Sequence, residues 1–155
     1  MDNRLRDIAD FLIGLKDSSE FSPARIGSKL LPYLFILDVE RDPLSDAIRL
    51  RIQLIGTSID QFFRRPLRDR MLGDFIHGPR GRDVMEAFHH TAETHEPLWM
   101  RQIMQLDGRP PRFVEGVCIY LEPNRIYGGL VMGDTAENVT AGFEQVSLSK
   151  TPPSS

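Results

Sequence analysis

The chain has 155 residues, 41% of them hydrophobic and 26% charged, with a formal net charge of −3. That is the size and balance of one globular domain with its own core, and its mild acidity argues against a protein devoted to nucleic acid. No apolar run approaches the roughly 18 residues of a membrane span, and the first segment, MDNRLRDIADFLIGLK, lacks a signal-peptide apolar region, so a cytoplasmic location is expected.

Leu5, Ile8, Leu12 and Leu15 recur at spacings of three, four and three, which makes one apolar helical stripe, widened by Phe11. Such a stripe can dock on its own domain or on a copy of itself; residues 1–20 are set apart as an N-terminal helix whose stripe is the candidate dimer surface. DSSEFSP breaks the helix, Pro32 ends a short helical turn, and YLFILDVE reads as a buried strand. ERDPLSDA is a turn. Ile48, Leu50, Ile52 and Leu54 then alternate with Arg49, Arg51 and Gln53, as in a strand with one wet face.

Gly56-Thr57 opens a short helix, SIDQFFRR, that Pro66 stops. GDFIHGPRGRD reads as a loop, and Asp83 caps a helix to about Thr94 with Val84, Ala87, Phe88 and Thr91 on one face. Three strands follow, LWMRQIMQL, RFVEGVCIYL and RIYGGLVMG, joined by DGRPP and EPN. Residues 136–155 are polar and expected to be disordered. Strands at both ends of a helical middle give the α+β class: a five-stranded antiparallel sheet, short helices on one face, and an extra N-terminal helix.

Arg64, Arg65, Arg68 and Arg70, with Arg80 and Arg82 beyond, are the densest charge. Guanidinium forks suit phosphate, carboxylate or an acidic protein surface. GPRGRD lacks the GK[ST] ending of a phosphate loop, and the interleaved Asp60, Asp69, Asp74 and Asp83 also fit a solvated, salt-bridged face. The first four arginines are the candidate partner surface. Phe62 and Phe63 are assigned to the core, which leaves no exposed aromatics for a nucleic-acid groove.

Among the histidines, His89 and Glu93 stand one turn apart, but HExxH is absent and no second cluster completes a zinc site. His89 and His90 point away from the apolar face, whereas His95 lies on it if the helix lasts that far. Cys118, the only cysteine, excludes an internal disulfide and CxxC motifs and reads as buried and inert in its strand. Phe88, His95, Trp99, Met100, Met104, Phe113 and Tyr120 are the candidate lining of a ligand pocket, with Arg101 and Glu115 as its polar groups. Strand alternation divides these residues between two faces without saying which face is inner. No Ser-His-Asp or Cys-His signature is present; Asp107 or Glu115 as a pocket base defines a rival reading, a small isomerase or hydratase.

IGTSIDQFF, RPLRDRMLGDFI, RQIMQLDGRPPRFVEGVCIY and GGLVMGDT, in that order, resemble successive passages of the PAS domain. The resemblance covers about residues 30 to 135 within a domain of 21–135, and the whole is similar to the stand-alone PAS proteins of bacteria. It implies a sensory or adaptor module rather than an enzyme, usually a homodimer, whose output is another protein such as a histidine kinase or other regulator. A small-molecule ligand fits that reading; nucleic acid and membrane do not. It also implies that Asp134, in the closing Asp134-Thr135 pair, relays a change towards the N-terminal helix. Some relatives hold haem through a histidine of the long helix, for which His95 is the candidate. The flavin chemistry of light-sensing relatives needs a cysteine before that helix, whereas Cys118 lies on a late strand, and no cofactor is expected. A ligand-free structural adaptor is the remaining alternative.

Overall fold

The computed structural model describes residues 1–74, 76, 78–104, 109–135 and 144–148, the side chains of 78–80, 134, 135 and 144 excepted. The N-terminal stripe forms helix α1 (Asn3–Ile13). Asp2 caps it: Oδ1 accepts the Arg4 N–H at 2.8 Å, and the carboxylate meets the Arg4 guanidinium at 2.9 Å. The cap satisfies a donor that the first helical turn leaves open, and the guanidinium holds the Asp2 carboxyl below its ordinary range.

A short helix α2 (Pro23–Ile26) and a 3-10 turn (Leu31–Tyr33) lead to the hairpin of β1 (Leu34–Arg41) and β2 (Ile48–Ile55). Asp42 sets the turn, its Oδ1 accepting the N–H groups of Leu44 at 2.8 Å and Ser45 at 3.1 Å. Helix α3 (Thr57–Phe63) starts after Gly56, where any Cβ would collide with the Pro32 carbonyl. Helix α4 (Gly78–Thr94) follows, then β3 (Leu98–Met104), β4 (Arg112–Leu121), β5 (Arg125–Thr135) and β6 (Glu144–Ser147).

Two expectations need correction. The long helix begins at Gly78 and not at Asp83, so GPRGRD is its opening and not a loop; a proline is tolerated in a first turn, where its missing N–H is not needed. The sheet has six strands, in the order β2-β1-β5-β4-β3-β6. The sixth comes from the segment expected to be disordered: Glu144–Ser147 pairs antiparallel with Leu98–Arg101 and so covers part of the β3 edge.

The chain is therefore α+β, with an antiparallel sheet covered on both faces. One face carries Phe35, Leu37, Ile52, Leu98, Met100, Val114 and Cys118 against α3 and α4. The other carries Leu34, Ile36, Trp99, Val117, Ile119 and Tyr127 against α1. Strands buried twice read as continuous apolar runs, as LFIL in β1 does. β2, at an edge, keeps the expected alternation only as far as Ile52: past the register shift opposite Ile36 and Leu37, Leu54 packs on the α1 face and Ile55 turns to the α3 side. Among the described residues no helix is long and apolar enough to cross a membrane.

Leu5, Ile8 and Leu12 have no exposed surface, and Leu15 is half-buried. Of the two destinations open to the stripe, its own sheet is the one occupied. It is a core face rather than a free dimer surface, because each such side chain gains about 2 kcal/mol by burial and an isolated helix this short is marginal in water. The close approach needs Gly129: a Cβ there would stand 2.7 Å from Ile8 Cδ1 and 3.0 Å from Leu5 Cδ2. Gly129→Ala should therefore cost about 1–3 kcal/mol, and Ile8→Val, which deletes Cδ1, should recover part of that loss. A double-mutant cycle by urea denaturation checks it; strictly additive losses would contradict the contact.

Candidate functional site

Between the sheet and the helices lies a small chamber. Phe35 and Leu37 of β1, Ile52 and Ile55 of β2, Ile59 and Phe63 of α3, Val84 and Phe88 of α4, Met100 and Met104 of β3, and Leu130 of β5 line it, with Leu67, Leu72 and Ile76 from the connection. Its volume is about 60 Å³ and no polar surface faces it. The buried polar atoms without a partner among the described residues, Gln53 Oε1 and Asp60 Oδ1, are outside this lining. An engineered apolar cavity of about 150 Å³ stays dry and takes benzene; on that scale this chamber holds one very small apolar molecule. A wider groove of about 280 Å³ beside Leu31, Pro32, Leu54 and Thr57 lies open to solvent.

The sequence placed the pocket on the last strands, and the structure divides that set. Phe88, Met100 and Met104 do line the chamber. Trp99 is on the opposite face, in the α1 core, because it alternates with Leu98 and Met100. Phe113 pairs with Ile103 and stays out of the lining. Tyr120 packs at the rim of the core, its ring stacked on the His95 imidazole at 3.7 Å and 5°.

His95 is also misplaced by the sequence reading. Helix α4 ends at Thr94, and His95 takes the left-handed conformation with φ of 62° while its N–H donates to the Thr91 carbonyl. Its side chain is about half exposed, with Nδ1 3.8 Å from Glu122. A residue that turns out of the helix as a cap cannot ligate an iron inside the fold, and the chamber is far too small for a porphyrin or an isoalloxazine ring. The residues present do not fit haem or flavin. Among the described residues no cluster of three or more His, Cys, Asp or Glu side chains could hold a metal ion.

Glu115 lies away from the chamber and works as a clasp. One carboxylate oxygen, Oε2, accepts the Trp99 indole N–H at 2.7 Å and the Asp2 backbone N–H at 2.8 Å. The acid offered as a pocket base thus ties the entry of α1 to the sheet. Arg101, across the β3–β4 pair from it, lays its guanidinium 5.8 Å from the Trp99 ring centre. Asp107 is outside the described residues, as is the side chain of Asp134 at the end of β5.

Cys118 is fully buried. Thr91 Oγ1 sits 3.4 Å from its Sγ and donates to the Glu96 carbonyl at 2.9 Å. Burial pushes the thiol from its ordinary value near 9 up to about 11. Arg64, Arg65, Arg68 and Arg70 are exposed, as a partner surface requires. Their segment is tied down through its backbone: Ile52 N–H donates to the Arg70 carbonyl at 2.9 Å, and Asp69 N–H to the Ile52 carbonyl at 2.7 Å.

The wall that sequence reading missed comes from β1, β2 and α3. Phe35, Leu37 and Ile52 read only as core, and nothing in a local pattern reports that they line the same chamber as Met100. No family model, no curated protein and no solved structure matches the chain.

Two outcomes follow. Glu115→Leu leaves two donors unmatched and should destabilise the fold by about 2–4 kcal/mol, with altered Trp99 fluorescence before unfolding; an unchanged urea midpoint would remove the clasp. Cys118 should resist a thiol reagent in the folded protein even near pH 9, since the thiolate forms only as pH climbs towards about 11. Rapid stoichiometric labelling without unfolding would contradict its burial.

Proposed function

We propose that the chain is a single-domain sensory or adaptor protein of PAS-like architecture, acting through protein–protein contact and not through catalysis. The observation that carries the reading is the small, wholly apolar chamber on one face of the sheet, backed by α1 on the other face of the same strands. On β5, Leu130 lines the chamber while its neighbours Gly129 and Val131 face α1. A change in the chamber therefore has one strand to cross before it reaches the helix.

In this reading a small apolar ligand, or a partner, favours one packing of sheet and helix over another. Asp134, at the far end of β5, continues the same strand and is the proposed relay point. The output is a second protein, such as a histidine kinase or other regulator, and a homodimer would use a surface other than the buried stripe. The isomerase or hydratase alternative draws no support from the chamber, because nothing in its lining can move a proton.

Xenon tests the reading. Under xenon pressure the methyl NMR signals of Met100, Met104 and Leu130 should shift, and hydrogen exchange at the α1 amides should change with them. Met100→Ala, which enlarges the chamber at a cost of about 2–5 kcal/mol, should in addition bind benzene. Unmoved methyls in both proteins would sink the chamber as a ligand site. Shifted methyls with unchanged α1 exchange would sink the relay.

A further inference from the structure

At the C-terminal end of α3 two arginines from a distant part of the chain lie over Phe62, and two more follow the helix in sequence. Arg64 follows the helix directly as its left-handed cap, with φ of 58°, and Arg65 comes next; both are exposed. Arg109 and Arg112 arrive from the β3–β4 side. Their guanidinium carbons lie 5.4 and 5.7 Å from the ring centre of Phe62. Arg109 also donates to the Phe62 carbonyl, one of the acceptors that a helix end leaves open. Arg112 Nε donates to the Gly133 carbonyl at 2.9 Å. A neutral carbonyl and a ring face fix the direction of the Arg112 guanidinium without cancelling its charge.

We propose that this helix end, with Arg64 and Arg112 as its contact residues, is the docking site for an acidic protein segment. The sequence alone pointed to Arg64–Arg70 as a run. The fold replaces the far half of that run, whose backbone is tied along the β2 edge, with two arginines from another part of the sheet. Carboxylates match the site in charge, and a guanidinium held in direction is prepared for a forked contact.

Peptide is favoured over nucleic acid on two counts. Phe62 is only 7% exposed beneath the guanidiniums and offers no face on which a base can stack. The whole chain carries a net charge of −3, which repels a long polyanion outside this one patch. The proposal shares with the adaptor reading only the idea of a protein partner, and it does not depend on the chamber taking a ligand.

A fluorescently labelled poly-glutamate peptide, titrated into the full chain and followed by anisotropy, is the direct probe. Binding should weaken about tenfold between about 0.05 and about 0.3 M salt, as expected of exposed charge pairs. Arg64→Gly suits the fold-neutral test because glycine is at ease in the left-handed region. It should weaken binding several-fold with the melting temperature unchanged or raised. Arg64→Gly combined with Arg112→Gln should weaken it more than tenfold, and Arg41→Ala, at the hairpin end of β1 beside Glu93, should leave it unchanged. Absence of peptide binding, equal binding by Arg64→Gly, or tighter binding of an oligothymidylate or of inorganic phosphate would each overturn the proposal. The xenon experiment reads the chamber separately, so either idea can fail without the other.

Discussion

Two consecutive residues with no side chain, Gly128 and Gly129 in β5, set the spacing of everything packed around them. Successive strand residues face opposite sides, so the pair thins the sheet once on each face. On the helical face a Cβ at Gly128 would run into the Phe35 ring and the Val117 carbonyl. On the other face Gly129 lets Ile8 and Leu5 press onto the strand. β5 lies between β1 and β4, inside the sheet, and the thin place is therefore in the middle of the layer that both cores share. Because α1 lies this close, its N-terminus can reach the Glu115 carboxylate, and Trp99 can meet the same oxygen from the sheet.

The same closeness limits the other face. Phe35 fills the space over Gly128 and meets Phe88 of α4 edge-on at 5.8 Å between ring centres. The helices are thereby drawn down until only about 60 Å³ remains between them and the sheet. Size and polarity then restrict the chemistry together. An apolar chamber without acceptors cannot hold a charged or strongly hydrogen-bonding ligand, since desolvating such a group without a partner costs several kcal/mol. The charged chemistry of this molecule is consequently at its surface, in the arginines at the end of α3 and in the carboxylate clasp beneath α1.

Much of this was legible in the sequence. Period-two alternation placed β2, turn residues separated the later strands, and the α1 stripe was visible from its spacing alone. The elements that escaped had no periodic signal. β6 is four residues long and polar enough to read as tail; it exists because the β3 edge offers it hydrogen bonds, which no local pattern reports. The start of α4 was hidden by Gly and Pro, whose propensities argue against helix until the first-turn exception applies. For the site, the pattern named the apolar residues of β3 but not their side of the sheet. Assigning Trp99 and Met100 to opposite faces needed the partner layers, and so did finding Phe35 and Ile59 in one chamber with Met100. His95 failed for a different reason: helical extrapolation held to Thr94, and the next residue reversed its backbone to close the helix.

The chamber's size also bounds how strong a signal filling it can give. Empty apolar volume costs roughly 24 cal/mol per Å³ in a protein core, so filling about 60 Å³ returns at most about 1.5 kcal/mol. A ligand that fits one packing and is excluded from the other shifts their ratio by about tenfold through that term. In the sensory reading, a ligand-driven response larger than this requires the walls to part, so that the incoming molecule buries area that is now occupied by side-chain contacts. Met100 and Met104 are the side chains best suited to yield, being unbranched and tolerant of several rotamers, and both stand on β3, one strand from the Glu115 clasp. In the docking proposal, a partner at the end of α3 would meet no such ceiling. Phe62 and Phe63 lie edge-on at 5.2 Å, and Phe63 is itself part of the chamber wall. Under the docking proposal, pressure from the surface through α3 would be the more powerful route to the interior.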